Sequence, residues 1–321
     1  MICSTIIPTI GRSTLSRAVT SVLDQDFDRN KHEVIIVNDS GESLPREDWM
    51  ASEQVKIIHT NRHNRSVARN SGAAIARGMY LHFLDDDDWI LPGAFRSLWD
   101  QAKASQAGWI YGGFHLVNTQ GELLKEILPA ETGNCFIHMI ASEWIPLQAS
   151  WINSKVFFDV GGFANLHSLE GGYEDIDISR LVARYYDFAR LPKSVAVIRF
   201  GDIDSTTNYN DLVRQNRRSR EKCLDLPGTF FRLRASAKNS AYWQGKIAYY
   251  YLASFRWNIK QRRLTKAASR AAYLLLALAA SGPNMRFPSF WRGVWRPHFN
   301  LVRLTLGRLM EQIYQNTDWK Q

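Results

Sequence analysis

Short apolar runs alternate with amphipathic segments along the first third of the chain. The runs are rich in β-branched residues and have the length of buried strands. The predicted strands lie at 2–7, 34–37, 55–59 and 79–84. Apolar residues at helical spacing predict helices between and after them. The predicted helices lie at 15–22, 66–77 and 94–104. Ser13 is the predicted N-cap of the first helix. This alternation predicts an α/β fold with an open sheet flanked by helices.

Four consecutive carboxylates, Asp85 to Asp88, follow the apolar run 79–84 directly. Because desolvating an unpaired charge is costly, these side chains are expected where the strand leaves the sheet. Clustered carboxylates suit Mg²⁺ or Mn²⁺, often with a phosphate completing the coordination shell. A solvated acidic turn would also explain the run. Its position at the end of a strand favours a site for a metal and a diphosphate.

Two other predicted strands also end in polar residues. Thr9 follows the first strand and Asp39 follows the second. In open α/β sheets, ligands bind beyond the carboxyl ends of the strands. We therefore expect Thr9, Asp39 and the acidic run to face one crevice.

The second part of the chain is less regular. Short strands are predicted at 109–111 and 114–117, followed by a hairpin turn and a returning segment at 122–128. Glu174 and Asp175 are expected in the first turn of a helix that continues through 178–186. The helix dipole favours carboxylates there, which gives a purely structural explanation for this acidic pair.

Charge divides the chain unevenly. The whole sequence carries +9, but residues 226–321 contain 16 Lys and Arg against 2 Asp and Glu, which gives +14. The remaining 24 basic and 29 acidic residues give −5 for residues 1–225. We therefore predict a first domain over 1–225 and a basic, mostly helical domain over 226–321. Such a surface favours an anionic partner, either a membrane surface or a nucleic acid.

Cysteine usage and hydropathy bear on the location of the protein. The three cysteines have no metal-binding spacing, which favours a reducing compartment, and the N-terminus has no signal-peptide pattern. The apolar run 271–280 is too short to span a bilayer. Aromatic residues alternate with arginines over 287–295, and 301–313 has an amphipathic pattern. These segments could pack on their own domain or lie in a membrane interface.

Several motifs in roughly the first 210 residues resemble those of family 2 glycosyltransferases in their order and spacing. They are Pro8-Thr9-x-x-Arg12, Ser21-Val22-Leu23-x-Gln25, Val37-Asn38-Asp39-Ser40, Ala68-Arg69-Asn70-x-Gly72, Phe83-Leu84-Asp85-Asp86-Asp87-Asp88, Gly161-Gly162-Phe163 and Glu174-Asp175-x-Asp177. The resemblance implies a GT-A fold, which is a Rossmann-like open mixed sheet flanked by helices. It also implies inverting transfer of a sugar from a nucleotide diphosphate sugar to an acceptor hydroxyl.

The resemblance also implies roles for individual residues. Those implied to bind the nucleotide sugar are Pro8, Thr9, Arg12, Asp39, Arg69, Asp85 and Asp86. Asp87 and Asp88 would hold Mn²⁺ or Mg²⁺. Asp175 would be the general base, with Glu174 beside it. Trp144 and Trp151 flank the expected acceptor region, where they would stack on a sugar or belong to the core.

The chain departs from the family pattern at two places. Many members supply a metal-binding histidine after the base helix, but residues 199–207 contain none. Arg199, Asp202 or Asp204 could take its place, or the metal could depend on fewer protein ligands. The Q-x-x-R-W signature of processive synthases is also missing, because Gln215 and Arg218 are followed by Ser219. Transfer of a single sugar is therefore expected, to a saccharide or lipid-linked acceptor in surface-polymer assembly. The enzyme would be cytoplasmic and peripheral at the inner face of the membrane.

Two alternatives belong to other functional classes. A nucleotidyltransferase would share the sheet and the acidic metal site, but it normally has a glycine-rich phosphate loop, which residues 8–12 lack. A nucleic-acid-binding protein would explain the basic C-terminal region. It would leave the acidic run and the Glu174-Asp175 pair unexplained.

Overall fold

The computed structural model of the protein describes residues 1–141, 145–164, 174–200, 209–238 and 240–295, and it describes the backbone alone at 209–213. Contacts between Cα atoms divide the chain into two compact units. The first contains residues 1–133 and 145–213, and the second contains 134–144 and 214–321. This division differs from the one predicted at 225/226, because residues 134–144 join the second unit and the division falls at 213/214. The predicted boundary at 226–228 instead marks a break between two helices.

The first unit is an α/β structure, as the sequence predicts. Its strands are β1 (Cys3–Thr9), β2 (His32–Asn38), β3 (Val55–His59), β4 (Tyr80–Phe83), β5 (Trp89–Ile90), β6 (Trp109–Val117), β7 (Leu123–Ile127), β8 (Ser150–Asn153) and β9 (Phe188–Arg199). Its helices are α1 (Leu15–Leu23), α2 (Arg65–Ile75), α3 (Ala94–Ala104), α5 (Ser154–Asp159) and α6 (Glu174–Tyr185).

The strands form one mixed sheet in the order β3-β2-β1-β4-β8-β6-β9-β5, with β7 paired to β6. The four strands β3, β2, β1 and β4 are parallel neighbours, whereas β8 is antiparallel to both β4 and β6. The carboxyl ends of β1, β2 and β4 therefore meet at one edge. The apolar side chains of β1 and β2 are fully buried, which explains their continuous hydrophobic runs.

Helix α2 packs very closely on this parallel part of the sheet. A Cβ added to Gly72 would lie 2.5 Å from Ile6 Cγ2 and 3.0 Å from Val37 Cγ2. Only glycine therefore fits at this contact between α2, β1 and β2. The close approach places the N-terminal half of α2 beside the carboxyl ends of the strands.

Several predicted elements agree with the structure and others need correction. Strand β3 and helix α3 have the predicted bounds. Ser13 does not cap α1; Thr14 occupies the N-cap position, with no capping bond from its side chain. Residues 109–117 form one strand rather than two, because the chain stays extended through Gly112 and Gly113 with a local shift of register against β9. Strand β9, with 12 residues, is not predicted by the sequence pattern.

The second unit is helical. Its helices are α4 (Phe136–Ile140), most of α7 (Tyr209–Asp225), α8 (Thr229–Ala237), α9 (Ala241–Lys260), α10 (Leu264–Ser281) and α11 (Pro288–Trp295). The buried Arg270 of α10 joins three of them, since it donates to Ser254 Oγ on α9 and to the carbonyl of Leu224 on α7. Among the residues described, no helix has both the length and the apolarity needed to cross a bilayer.

Candidate active site

The carboxyl ends of β1 and β4 are joined through side chains. Thr9 Oγ1 donates a 2.6 Å hydrogen bond to Asp86 Oδ2, and the Gly11 amide donates to Thr9 Oγ1 at 2.9 Å. Arg12, in the turn after β1, reaches Asp86 Oδ1 at 3.0 Å and Asp87 Oδ2 at 3.2 Å. Pro8 lies in β1 opposite Val37 of β2, one residue before Thr9. The N-terminal motif and the acidic run therefore meet at one edge of the sheet, as the sequence predicts.

Three of the four aspartates form a cluster that suits a metal ion. Carboxylate oxygens of Asp85, Asp87 and Asp88 all lie within 4.8 Å of one another. Asp88 is buried, and its Oδ1 accepts a 2.8 Å hydrogen bond from the Arg199 amide at the end of β9. Hard oxygen donors at this spacing fit Mg²⁺ or Mn²⁺.

The electrostatics of the acidic run are those of crowded like charges. Burial, together with the charge of Asp85, raises the pKa of Asp87 to about 6. Burial and the charges of Asp85 and Asp87 raise the pKa of Asp88 well above its ordinary value. Burial also raises the pKa of Asp86, although Thr9 and Arg12 partly oppose the shift. A bound cation would relieve this repulsion, so the donor set fits a divalent metal.

Asp85 differs from its neighbours because it has a strong cationic partner. Burial opposes its ionisation, but the charge and hydrogen bond of Arg69 outweigh burial and lower the pKa of Asp85. Arg69 Nη2 lies 2.5 Å from Asp85 Oδ1, and Gln148 Nε2 donates to Asp85 Oδ2 at 2.8 Å. Asp85 is therefore held as a carboxylate in a fixed orientation.

Arg69 also joins the acidic run to the predicted base. Its Nη1 donates to Glu174 Oε1 at 2.9 Å, so one buried guanidinium bridges Asp85 at the end of β4 and Glu174 at the start of α6. The two carboxylates lie 89 positions apart in the sequence. Arg65, one turn earlier on α2, lies 3.4 Å from the same Glu174 oxygen. Helix α2 therefore holds both acidic segments at one site.

Asp175 lies next to Glu174, in the first described turn of α6. Burial and the charge of Glu174 raise the pKa of Asp175 to about 6, although the Ile176 amide donates to its Oδ1 at 2.7 Å. Such a carboxyl is ionised at neutral pH yet basic enough to accept a proton, as a general base requires. Asp177 belongs to the same turn, so the structural explanation by the helix dipole also fits this acidic cluster.

Asp39 is buried and accepts three hydrogen bonds from the segment after β3. Thr60 Oγ1 and the Arg62 amide donate to its Oδ1 at 2.7 and 2.6 Å, and the Asn64 amide donates to Oδ2 at 2.6 Å. Asp39 therefore shapes the 60–64 loop beside the site. Its contact with a nucleotide base stays a prediction.

The two tryptophans expected near the acceptor have different outcomes. Trp151 has no exposed surface; it stacks on Tyr80 at 5.8 Å between ring centroids and meets Phe95 edge to face at 5.2 Å. Its burial fits the core role, not stacking on an acceptor sugar. Trp144 lies outside the described residues, as do Asp202 and Asp204. Arg199 is described at the end of β9, where its amide contacts Asp88.

Sequence reasoning missed three residues that shape the site. Gln148 orients Asp85. Arg17 stacks 3.7 Å above the Trp89 ring and reaches the Asp87 carbonyl at 3.4 Å. Asn70 exchanges hydrogen bonds of 2.8 and 3.0 Å with the backbone of Phe163, and so ties the Gly162-Phe163 turn to α2. The adjacency of Asn70 to Arg69 within one motif was the only sequence signal that could have identified any of them.

Comparison with known proteins bears on the family and the fold. The family model described as "Glycosyl transferase family 2" matches residues 4–165, about half of the chain. The chain is 31% identical over 137 residues to the poly(ribitol-phosphate) beta-N-acetylglucosaminyltransferase TarP of Staphylococcus aureus, covering 41% of each protein. It is also 31% identical over 135 residues to a GalNAc(5)-diNAcBac-PP-undecaprenol beta-1,3-glucosyltransferase of Campylobacter jejuni, covering 38% of this chain and 41% of that protein. The matched stretches thus span about two fifths of these relatives.

Among solved structures, the chain is similar to residues 1–349 of S. aureus TarS in complex with UDP-GlcNAc. The TM-score is 0.55 at 14% identity, and the match covers 87% of this chain and 91% of that one. At this identity the likeness concerns the fold alone. It agrees with the predicted GT-A fold.

Proposed function

Because the chain belongs to glycosyl transferase family 2, we propose that it transfers a single sugar from a nucleotide diphosphate sugar to an acceptor hydroxyl in cell-surface polymer assembly. The observation that carries the proposal is the Arg69 bridge. It brings the acidic run at the end of β4 and the Glu174-Asp175 pair on α6 to one site. The family match and the named relatives give no support to a nucleotidyltransferase or to a nucleic-acid-binding protein.

In this proposal the transfer inverts the anomeric carbon. Asp175 removes the proton from the acceptor hydroxyl as its oxygen forms a bond to that carbon. The bond from the same carbon to the diphosphate oxygen breaks, and the nucleoside diphosphate leaves with the electron pair. A single carboxylate base is sufficient for one displacement, whereas a retaining double displacement needs a second carboxylate as nucleophile. The pKa of Asp175, raised to about 6, suits this role.

The charges around the site support roles for the remaining residues. Asp87 and Asp88, beside Asp85, would hold Mn²⁺ or Mg²⁺. When bound, such an ion would act as a Lewis acid that stabilises the negative charge of the departing diphosphate. The proposed nucleotide ligands are Pro8, Thr9, Arg12, Asp39, Arg69, Asp85 and Asp86. Arg69 orients Asp85, and Arg12 partly balances the charges of Asp86 and Asp87.

The acceptor and the location are proposed from the relatives and from charge. One relative is named for a saccharide on PP-undecaprenol, and another is named for poly(ribitol-phosphate). We propose a saccharide or lipid-linked acceptor at the inner face of the membrane. The net charge of +14 over residues 226–321, counted as 16 basic minus 2 acidic residues, would favour association with an anionic membrane surface.

Donor binding tests the proposal directly. UDP-GlcNAc and UDP-glucose are the first probes, each measured by thermal shift with and without Mn²⁺ and followed by an assay of UDP release. Binding at a hundredfold excess over Kd stabilises a protein by about 2.7 kcal/mol, so a true donor should raise Tm clearly. Asp87→Asn should weaken the stabilisation that depends on Mn²⁺.

The matched control is Asp100→Asn, an exposed aspartate on α3 paired with Lys103. It should leave both readouts unchanged. The proposal fails if a broad set of nucleotide sugars neither stabilises the wild-type protein nor yields nucleoside diphosphate. An equal loss in Asp100→Asn and Asp87→Asn would remove the acidic run from the binding site.

A further inference from the structure

The last described helix and the two residues before it expose aromatic side chains and arginines. Phe287, Trp291 and Trp295 recur every fourth residue, and 42%, 41% and 62% of their surfaces are exposed. Trp291 and Trp295 lie one turn apart on the same side of α11, and Phe287 immediately precedes the helix. Together with Arg286 and Arg292 we call this stripe the aromatic–arginine face. Arg286, Trp291, Arg292 and Trp295 also line one shallow groove, so these side chains share a common surface.

The opposite side of α11 is fixed against α9. Phe290 and Val294 are buried there, and the two helices touch through glycine. A Cβ on Gly245 would lie 2.1 Å from the Phe290 carbonyl oxygen, and one on Gly293 would lie 2.3 Å from that of Tyr242. Because the backbones approach this closely, α11 cannot rotate to bury its outer aromatics. Their exposure is therefore built into the packing of the second unit.

The exposed rings present apolar surface, and the ring nitrogen of Trp291 is already hydrogen-bonded. Trp291 Nε1 donates to the Met285 carbonyl at 2.8 Å, so its polar atom already has a partner. The Trp291 and Trp295 rings are nearly parallel, at 13° and 6.5 Å between centroids. Exposed indole rings of this kind suit the boundary between water and lipid.

The stretch of chain that carries the face has ionisable side chains of one sign. Residues 226–295 contain 12 Lys and Arg and no Asp or Glu. Arg286 lies 5.0 Å from the Phe287 ring, so cation and aromatic are adjacent. A second copy docked on this face by twofold symmetry would set the two arginines against their own duplicates. An anionic partner avoids that repulsion.

We propose that the aromatic–arginine face docks the protein on an anionic lipid bilayer. The tryptophan and phenylalanine rings enter the headgroup region, while Arg286 and Arg292 pair with lipid phosphates. The proposal rests on the proposed function for its purpose, since a lipid-linked acceptor would lie at such a surface. The docking itself requires no sugar transfer.

Co-sedimentation of the full chain with vesicles tests this docking. Phosphatidylcholine vesicles are compared with vesicles that also contain phosphatidylglycerol, over a range of salt concentrations. Wild-type protein should bind only the anionic vesicles, and added salt should release it. The double variant Arg286→Gln, Arg292→Gln should bind about thirtyfold more weakly, since each arginine contributes about 1 kcal/mol near such a surface.

The aromatic part is tested separately. Trp291→Ala with Trp295→Ala should lower partitioning by about tenfold or more, whereas Trp291→Phe with Trp295→Phe should retain most of it. The controls are in the first unit: Phe158→Ala removes another exposed aromatic, and Arg96→Gln with Lys103→Gln removes two exposed charges. These controls should bind as the wild type does. Circular dichroism and Tm verify the fold of each variant.

Three outcomes would overturn the proposal. The first is wild-type protein that stays in the supernatant with anionic vesicles at low salt. The second is a set of folded face variants that bind as well as the wild type. The third is the finding that the face mediates self-association, or binds a soluble anionic polysaccharide, but does not bind vesicles. Because vesicle binding is measured without a donor and UDP release without vesicles, failure of the docking is distinguishable from failure of the glycosyltransferase assignment.

Discussion

Removing Arg69 should destabilise the first unit and disable donor binding together. Its buried guanidinium is the shared partner of Asp85 and Glu174, at 2.5 and 2.9 Å. Deleting one partner of a buried ion pair costs about 3–5 kcal/mol, because the remaining charge is left unpaired. Asp85 keeps Gln148 and Glu174 keeps Arg65, so we expect Arg69→Met to lie at the lower end, about 3 kcal/mol. That is a factor of about 150 in the folding equilibrium.

Urea denaturation at neutral pH without divalent ions measures this loss. Asp85→Asn in the Arg69→Met background should recover part of it, because the amide removes the charge that Arg69 no longer balances. Arg69→Lys should fall between the wild type and Arg69→Met, since an ammonium keeps the charge but cannot form the same two-sided bridge. A loss below about 1 kcal/mol for Arg69→Met, the scale of an exposed pair, would refute the reasoning. So would a double variant no more stable than the single one.

Three further predictions concern carboxylates. Asp175→Asn should lower turnover by a factor of about 10²–10⁴ while donor affinity is retained. Wild-type turnover should fall below pH 6, because the pKa of Asp175 is raised to about 6 and the base takes up a proton there. Unchanged turnover in the variant would exclude Asp175 as the base. Asp87→Ala should abolish UDP release stimulated by Mn²⁺ without lowering the free energy of unfolding, because it removes like-charge repulsion; near-normal release would contradict the metal assignment. Burial opposes ionisation of Glu33, but bonds from Arg77, Ser4 and Lys56 lower its pKa from 4.5 to about 2. The stabilisation of the fold by ionised Glu33 is therefore complete above pH 4.5 and is lost as the pH falls towards 2. In urea titrations, Glu33→Gln should lower the free energy of unfolding by about 2 kcal/mol at neutral pH and by nearly nothing at pH 2. The value at neutral pH is discounted because Arg77 and Lys56 are exposed.

The parts of the fold that were predictable are those where local pattern and tertiary environment agree. The apolar runs of β1, β2 and β4 are buried on both faces, so their hydrophobicity is continuous and their ends are marked by Thr9, Asp39 and Asp85. Strand β9 was missed because its burial alternates irregularly and Pro192 interrupts it, although the strand is completed by pairing with β5 and β6. Tertiary pairing decided its conformation where local pattern did not.

The site shows the same division between local and distant information. The acidic run could be predicted because four adjacent charges cannot be buried unpaired. The bridge through Arg69 could not be predicted from residue patterns, because its partners are distant in the sequence. Asp85 follows Arg69 by 16 positions and Glu174 follows it by 105. Trp151 shows the limit of residue type: an indole ring suits a sugar or a core equally well, and only its complete burial distinguishes the two.

The hydrogen bonds that Asp39 accepts have a consequence for protein engineering. They fix the path of the 60–64 loop through Thr60 and two backbone amides, so these three bonds do not need the exposed side chain of Arg62. Asn61 and His63 have φ of 49° and 47°, a conformation that asparagine, aspartate, histidine and glycine adopt most readily. A library that restricts these two positions to such residues and varies Arg62 and Arg65 freely should change the rim of the candidate site while conserving the loop itself. Selection for new donor sugars could start from that library.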